Sequence, residues 1–212
     1  MTREEAWQLV CDNVQAAGLR RHMLSVEAAM RAYAAKLGGD TQDDIEQWGL
    51  AGLLHDWDWE IHPTLETHVV DGTPILRSKG VSEPVLQAIL SHNEAATGVP
   101  RREPMDFALL ACDEVTGLII AAALVRPSKD VRDVELKSIK KRWKERIFAA
   151  GVDRDHVEKA TAEFGAACFG GQLDLWDHVS TVLAAMKDVA AELELDGRLA
   201  AAAPAQTPPP AS

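Results

Sequence analysis

Three cysteines in 212 residues, Cys11, Cys112 and Cys168, are too few, too scattered and odd in number for a disulfide framework or a thiolate zinc knot. They read as buried, reduced thiols. Aromatic residues supply only 5% of the chain, with a single tyrosine. No valine- or isoleucine-rich segment alternates at period two beside hairpin turn residues, which excludes a β-sheet core. Positive charge is also scarce: 22 Lys and Arg face 33 Asp and Glu, a net charge of −11. With no basic block long enough to track phosphates, binding to duplex nucleic acid is not expected. The longest apolar run, Val115 to Val125, is about half a spanning helix and follows Asp113 and Glu114 directly, so no membrane anchor is expected. Met1 to Val10 carries Glu4, Glu5 and Trp7 where a signal peptide would place a basic region and an apolar core, and a cytoplasmic location is the expectation.

What is abundant is alanine, at 33 residues, within a 47% apolar composition. A chain of this length buries a substantial core without staples, and the pattern predicts an all-α fold. One domain is expected over 1–196, with the Ala/Pro-rich remainder, 197–212, a disordered tail. Gly18 separates a first helix from one over Arg20 to Leu37, which Gly38-Gly39 ends. Thr41 caps the next, with Asp43 and Asp44 in its first turn. A further short helix from Trp48 to Leu54 delivers His55-Asp56 at its end. Helices are then expected over Thr67 to Ser78, from Ser82-Glu83-Pro84 to His92, from Glu103-Pro104 to Val125, over Val131 to Lys141, from Asp153 to Phe169, and over Leu173 to Leu195.

Five of the seven histidines lie within the first 92 residues, in acidic and aromatic company: His22, His55-Asp56-Trp57-Asp58-Trp59-Glu60, His62, His68 and His92. Imidazole nitrogen and carboxylate oxygen together suit a divalent transition ion, and a carboxylate can bridge two ions where a histidine cannot. Asp113 sharpens the point. Its helical neighbours are Leu109, Leu110, Thr116, Gly117 and Ile120, so an ionised carboxylate there faces a core with no Lys or Arg beside it, and a metal would compensate. His22 shares its face with Val26, and His92 follows Ile89 and Leu90. His62, before Pro63, reads as loop surface or as support for the site, while His156 and His178 are assigned no role.

The order His22, His55-Asp56, His92, Asp113 resembles the H…HD…D signature of the HD-domain metal-dependent phosphohydrolase superfamily. The stretches GLAGLLHDWDWE, THVVDGTPILRSKGVSEPVLQAILSHN and ACDEVTGLIIAAALVRPSKD are similar to an HDIG-type branch of it. The likeness runs from about Leu19 to Leu193, with core motifs in 19–145 and C-terminal helices in 153–195. It implies a helical bundle with a primary ion on His22, His55, Asp56 and Asp113. As in two-metal members, it implies a second ion on His68 and His92, with Asp56 as bridge. The implied cofactor is one or two ions of iron, manganese, zinc, nickel or cobalt. His68 follows Asp56 by only 12 residues and NEAATGVP follows His92, so the GYP element of the cyclic-dinucleotide phosphodiesterases is missing and that activity is not favoured.

Such a site acidifies bound water from about 15.7 to about 7 and polarises a phosphoryl oxygen. Asp56, Asp58 and Glu60 are the candidate catalytic carboxylates, the last two for orientation or proton transfer. Arg126, Lys129, Lys137 and Lys140 are the candidate phosphate-binding cations, with a solvated helix face as the alternative. The expected activity is hydrolysis of a nucleotide or other small phosphate ester. Two alternatives stay open: a diiron oxygenase, since some HD proteins activate oxygen with this ligand inventory, and a non-catalytic nucleotide-binding protein. Trp176, Val179 and Leu183 fit either a homodimer face or packing within the monomer.

Overall fold

The computed structural model describes residues 1–39 and 41–202. Helices are the only extended secondary structure among them. α1 (Arg3–Asn13) opens on a capping box in which the Thr2 hydroxyl and the Glu5 carboxylate each accept the other residue's backbone N–H. α2 (Ala17–Lys36) and α3 (Gln42–Leu54) form a tight pair, and the Asp44 N–H donates to the Thr41 hydroxyl at the start of α3. Gly18 falls within the first turn of α2 rather than ahead of it. The segment expected as two helices between Thr41 and Leu54 is one, because nothing between Ile45 and Gln47 breaks it. Gly52 sets the spacing of this pair: a Cβ there would lie 2.8 Å from the backbone of Val26 and Glu27. Only glycine permits this approach, which brings the end of α3 against the face of α2 that carries His22.

A string of turns follows α3. Residues 67–72, expected to be helical, are not, and α4 (Thr73–Ser78) is short. The reason is tertiary. The buried Asp58 carboxylate accepts the Val69 N–H at 3.0 Å and holds that residue at φ +59°, a conformation β-branched residues avoid and which interrupts a helix. α5 (Glu83–His92) and the single turn α6 (Glu94–Thr97) lead to α7 (Pro104–Leu124), the central element, against which α2, α5, α9 (Arg154–Cys168) and α10 (Leu175–Asp188) pack. α7 is long and apolar enough to cross a membrane by composition, but most of it is buried in the bundle by Leu109, Val115, Leu118, Ile119 and their neighbours.

After α7 the chain makes a 3₁₀ turn (Val131–Asp133) and α8 (Leu136–Trp143) instead of one helix. α10 stops at Asp188, short of the expected Leu195. Leu193 and Leu195 are both fully buried, and residues two apart point to opposite sides of a helix, so the chain turns to bury both. The Val131 N–H then donates to the Leu195 carbonyl at 2.8 Å. The tail expected to be disordered from Gly197 begins with an ordered turn, α11 (Arg198–Ala201), whose Leu199 packs on the core; residues 203–212 lie outside the described chain. Cys112 is buried, whereas Cys11 and Cys168 are only half-buried, and all three thiols are free. Val179 and Leu183 are buried within the chain and Trp176 packs edge-on against Trp143, so that face is used internally.

Candidate metal centre

Six side chains, from four helices, their ends and the turns after α3, converge in two adjoining groups. His22 comes from α2, His55 and Asp56 from the end of α3, His68 from the turns, His92 from the last residue of α5, and Asp113 from the middle of α7. His22 Nε2 is 3.0 Å from Asp113 Oδ1, 3.1 Å from His55 Nε2 and 3.7 Å from Asp56 Oδ2. His55 Nε2 is 3.5 Å from Asp56 Oδ2 and 3.6 Å from Asp113 Oδ1. On the other side, Asp56 Oδ1 is 3.1 Å from His68 Nε2 and 3.8 Å from His92 Nε2, and these two nitrogens lie 3.2 Å apart. The two oxygens of Asp56 thus face two separate donor groups.

The outer nitrogens decide what the inner ones can be. His55 Nδ1 is 2.8 Å from the Gly52 carbonyl, and His92 Nδ1 is 2.5 Å from the Ile89 carbonyl. His68 Nδ1 is 2.9 Å from Asp58 Oδ1. All three partners only accept, so each Nδ1 carries a proton and donates it. His22 Nδ1 is 3.0 Å from the Thr116 hydroxyl, which itself donates to the Asp113 carbonyl at 2.8 Å and so accepts from the imidazole. In their neutral forms all four imidazoles would therefore turn Nε2 lone pairs toward one another, in two facing pairs, beside two carboxylates. Such an arrangement calls for positive charge between them, and imidazoles held through the far nitrogen are the usual mounting of a bound transition ion. The donor set fits a divalent ion on each side of Asp56.

Electrostatics agree. Burial works against the His55 cation, but the charges of Asp56 and Asp113 outweigh it and raise the group to about 9. Burial likewise opposes the His68 cation, and Asp56 and Asp58 raise it to about 9. His92 is pushed down to about 4 by burial and by its neighbour His55. Burial would raise both carboxyls, yet His55 and His68 hold Asp56 well below the usual range, and His22 and His55 do the same for Asp113. Protons on the imidazoles and a metal ion are competing answers to the same buried negative charge.

His55 is fully enclosed, while the His22, Asp56 and Asp113 side chains keep 19%, 19% and 24% of their surface exposed. They open onto a cleft of about 470 Å³ whose walls include Trp59, Asn93, Leu110, Glu114, Val152 and His156. Glu114, next to Asp113, is raised by burial and by that neighbour's charge.

Other residues singled out in the sequence fall elsewhere. Asp58 does not reach the cleft: it is fully buried behind His68. Glu60 is on the surface and does not line the cleft; its carboxylate accepts the N–H groups of Gln15 and Ala16 at 2.7 and 2.8 Å at the entrance to α2. Arg126, Lys129, Lys137 and Lys140 do not line the cleft. Asp113 sits mid-helix, roughly 16 Å of α7 before its end, and those cations follow that end. Lys137 pairs with Glu135 and Lys140 lies over the Trp176 ring. His62 stands 3.9 Å from Asp71, away from the cleft. His178 is buried in a structural network, with the Tyr33 hydroxyl 2.6 Å from Nδ1 and the Ala111 carbonyl 2.8 Å from Nε2.

Thr116 and the cleft residues Glu114, Asn93, Trp59 and His156 were not marked as functional by sequence. Only Thr116 had a signal, one helical turn after Asp113.

No curated protein and no solved structure matches the chain at significance. The HD domain family matches residues 19–126. That span takes in His22, the His55-Asp56 pair, His68, His92 and Asp113 and covers half of the sequence. The chain belongs to the HD domain family.

Proposed function

We propose that this centre hydrolyses a phosphate ester, of a nucleotide or another small molecule, with His22, His55 and Asp113 holding one divalent ion, His68 and His92 a second, and Asp56 both. The observation that carries the reading is the division of Asp56: Oδ2 lies toward the first group and Oδ1 toward the second. When bound, such ions activate water and neutralise the charge that develops on phosphoryl oxygens. The chain's own contribution is to fix the donors. Four imidazoles are locked in one tautomer by Gly52, Ile89, Asp58 and Thr116. His55, fully buried, lies on the side closed to bulk water, and the ester approaches from the open side over Asp56 and Asp113. Glu114 and His156 are the titratable groups on the cleft wall beyond the six donors, which makes them the groups able to pass a proton to the departing alkoxide.

Metal analysis of protein purified without chelator, followed by phosphatase assays with that ion in air and under argon, tests the proposal. Turnover of phosphate esters without oxygen is the expected result. Strict dependence on iron with consumption of oxygen would replace it with the oxygenase reading, and tight ligand binding without product under any metal would make the protein a sensor.

A further inference from the structure

The metal cleft does not end at His92. A second hollow of about 460 Å³ adjoins it, and the two share His92, Asn93, Leu110 and His156. Its far wall carries two cations and two acids, and these are already matched. Arg101 Nη1 is 3.1 Å from Glu94 and Nη2 is 3.3 Å from Glu163, while Lys159 Nζ is 3.8 Å from Glu163. The Ser91 carbonyl accepts from Arg101 Nη1 at 3.2 Å and helps fix the guanidinium. Arg101 Nε, by contrast, is buried and has no partner.

The hollow therefore offers donors, from Arg101, Lys159 and His156, and acceptors, from Glu94 and Glu163, with its two cations balanced by its two acids, while the Asn93 amide group already donates to the Leu65 and His68 carbonyls. A second phosphate entering it would displace an existing ion pair and sit against a carboxylate, and like charges at contact are costly. A hydroxyl or amide group meets no such opposition and can bond to both kinds of partner. The metal cleft itself adds no Lys or Arg among the described residues, so the ions would have to provide the positive charge for the reacting group. Together the two hollows are of a size that holds a nucleotide-sized molecule.

We infer that the second hollow receives the uncharged, hydroxyl- or amide-bearing part of a substrate with a single phosphoryl group, and that it selects monophosphates over polyphosphates. This rests on the phosphohydrolase reading of the metal centre.

The test uses holoenzyme and matched pairs: adenosine, guanosine, cytidine and uridine 5′-monophosphates against their di- and triphosphates, and fructose 6-phosphate against fructose 1,6-bisphosphate. The monophosphate is expected to lead by at least about tenfold in kcat/KM in every pair that turns over. Hydrolysis-resistant phosphonate analogues of the mono- and diphosphates should bind in the same order by calorimetry. Glu94→Gln alone, and together with Glu163→Gln, should narrow the ratio severalfold, mainly through KM of the polyphosphate. Equal or better turnover and binding of the polyphosphate, or a ratio untouched in both variants, overturns the inference while leaving the hydrolase reading in place. If no phosphate ester of either kind turns over, the hydrolase reading fails and this one with it.

Discussion

The Asp58 carboxylate, fully buried, stands 2.9 Å from His68 Nδ1 and orients a ring whose other nitrogen faces Asp56. Its second oxygen takes the Val69 N–H, and Gly72 leaves the space it occupies, since a Cβ at 72 would overlap Asp58 Oδ2. A charge two residues beyond the metal pair thus acts on the centre through an imidazole.

Asp58→Ala is accordingly expected to weaken the second ion about 10- to 100-fold while sparing the first. Gly72→Ala should act in the same direction by displacing the carboxylate. Metal titration followed by calorimetry reads both variants; unchanged affinity at both sites would mean that Asp58 serves folding alone.

Asp56 and His92 should separate by stoichiometry. Asp56→Ala removes the carboxylate shared by both groups and should abolish turnover with loss of both ions, whereas His92→Ala should lose one. Elemental analysis of the purified variants decides. Full metal content and activity in Asp56→Ala would contradict a bridging role.

The cations after α7 and the surface acid Glu60 make the opposite prediction. Alanine at Arg126, Lys129, Lys137 or Lys140 should leave metal content and kcat/KM unchanged, because none lines the cleft. Glu60→Ala should lower Tm slightly, through the two lost amide contacts ahead of α2, with turnover intact. A drop in kcat in any of these would place a working group outside the cleft.

His178 gives a pH dependence with a definite sign. Burial lowers it from 6.5 to about 4, so the folded protein holds it neutral. Its contribution to stability is complete above pH 6.5 and is lost as pH falls toward 4, because the unfolded chain takes up the proton first. The full effect is on the order of 3 kcal/mol, of which about 2 kcal/mol is lost between pH 7 and pH 5. Urea unfolding of the metal-free protein at both pH values should show this fall in the wild type and a shallower one in His178→Gln. Parallel curves would rule His178 out as its source.

Much of the fold was legible because its signals are local. The Thr41 and Asp153 caps and the Ser82-Glu83-Pro84 start are short-range chemistry and stand where the sequence put them. The failures share one cause, a distant partner overriding a local preference. Asp58 bends the chain at Val69, and burial of Leu193 together with Leu195 ends α10 early.

The same division holds for the centre. Residue type and order alone determined that imidazoles and acids on otherwise apolar helices require a cation, because the cost of a bare carboxylate in a core follows from its neighbours in sequence. Packing alone decided that these residues divide into two groups about Asp56, that Asp58 lies buried behind His68, that His156 borders the cleft and that the lysines of α8 do not. Helix periodicity sets which side a residue faces, whereas the few ångströms that separate a ligand from a bystander depend on how closely helices approach, as at Gly52 against Val26 and Glu27.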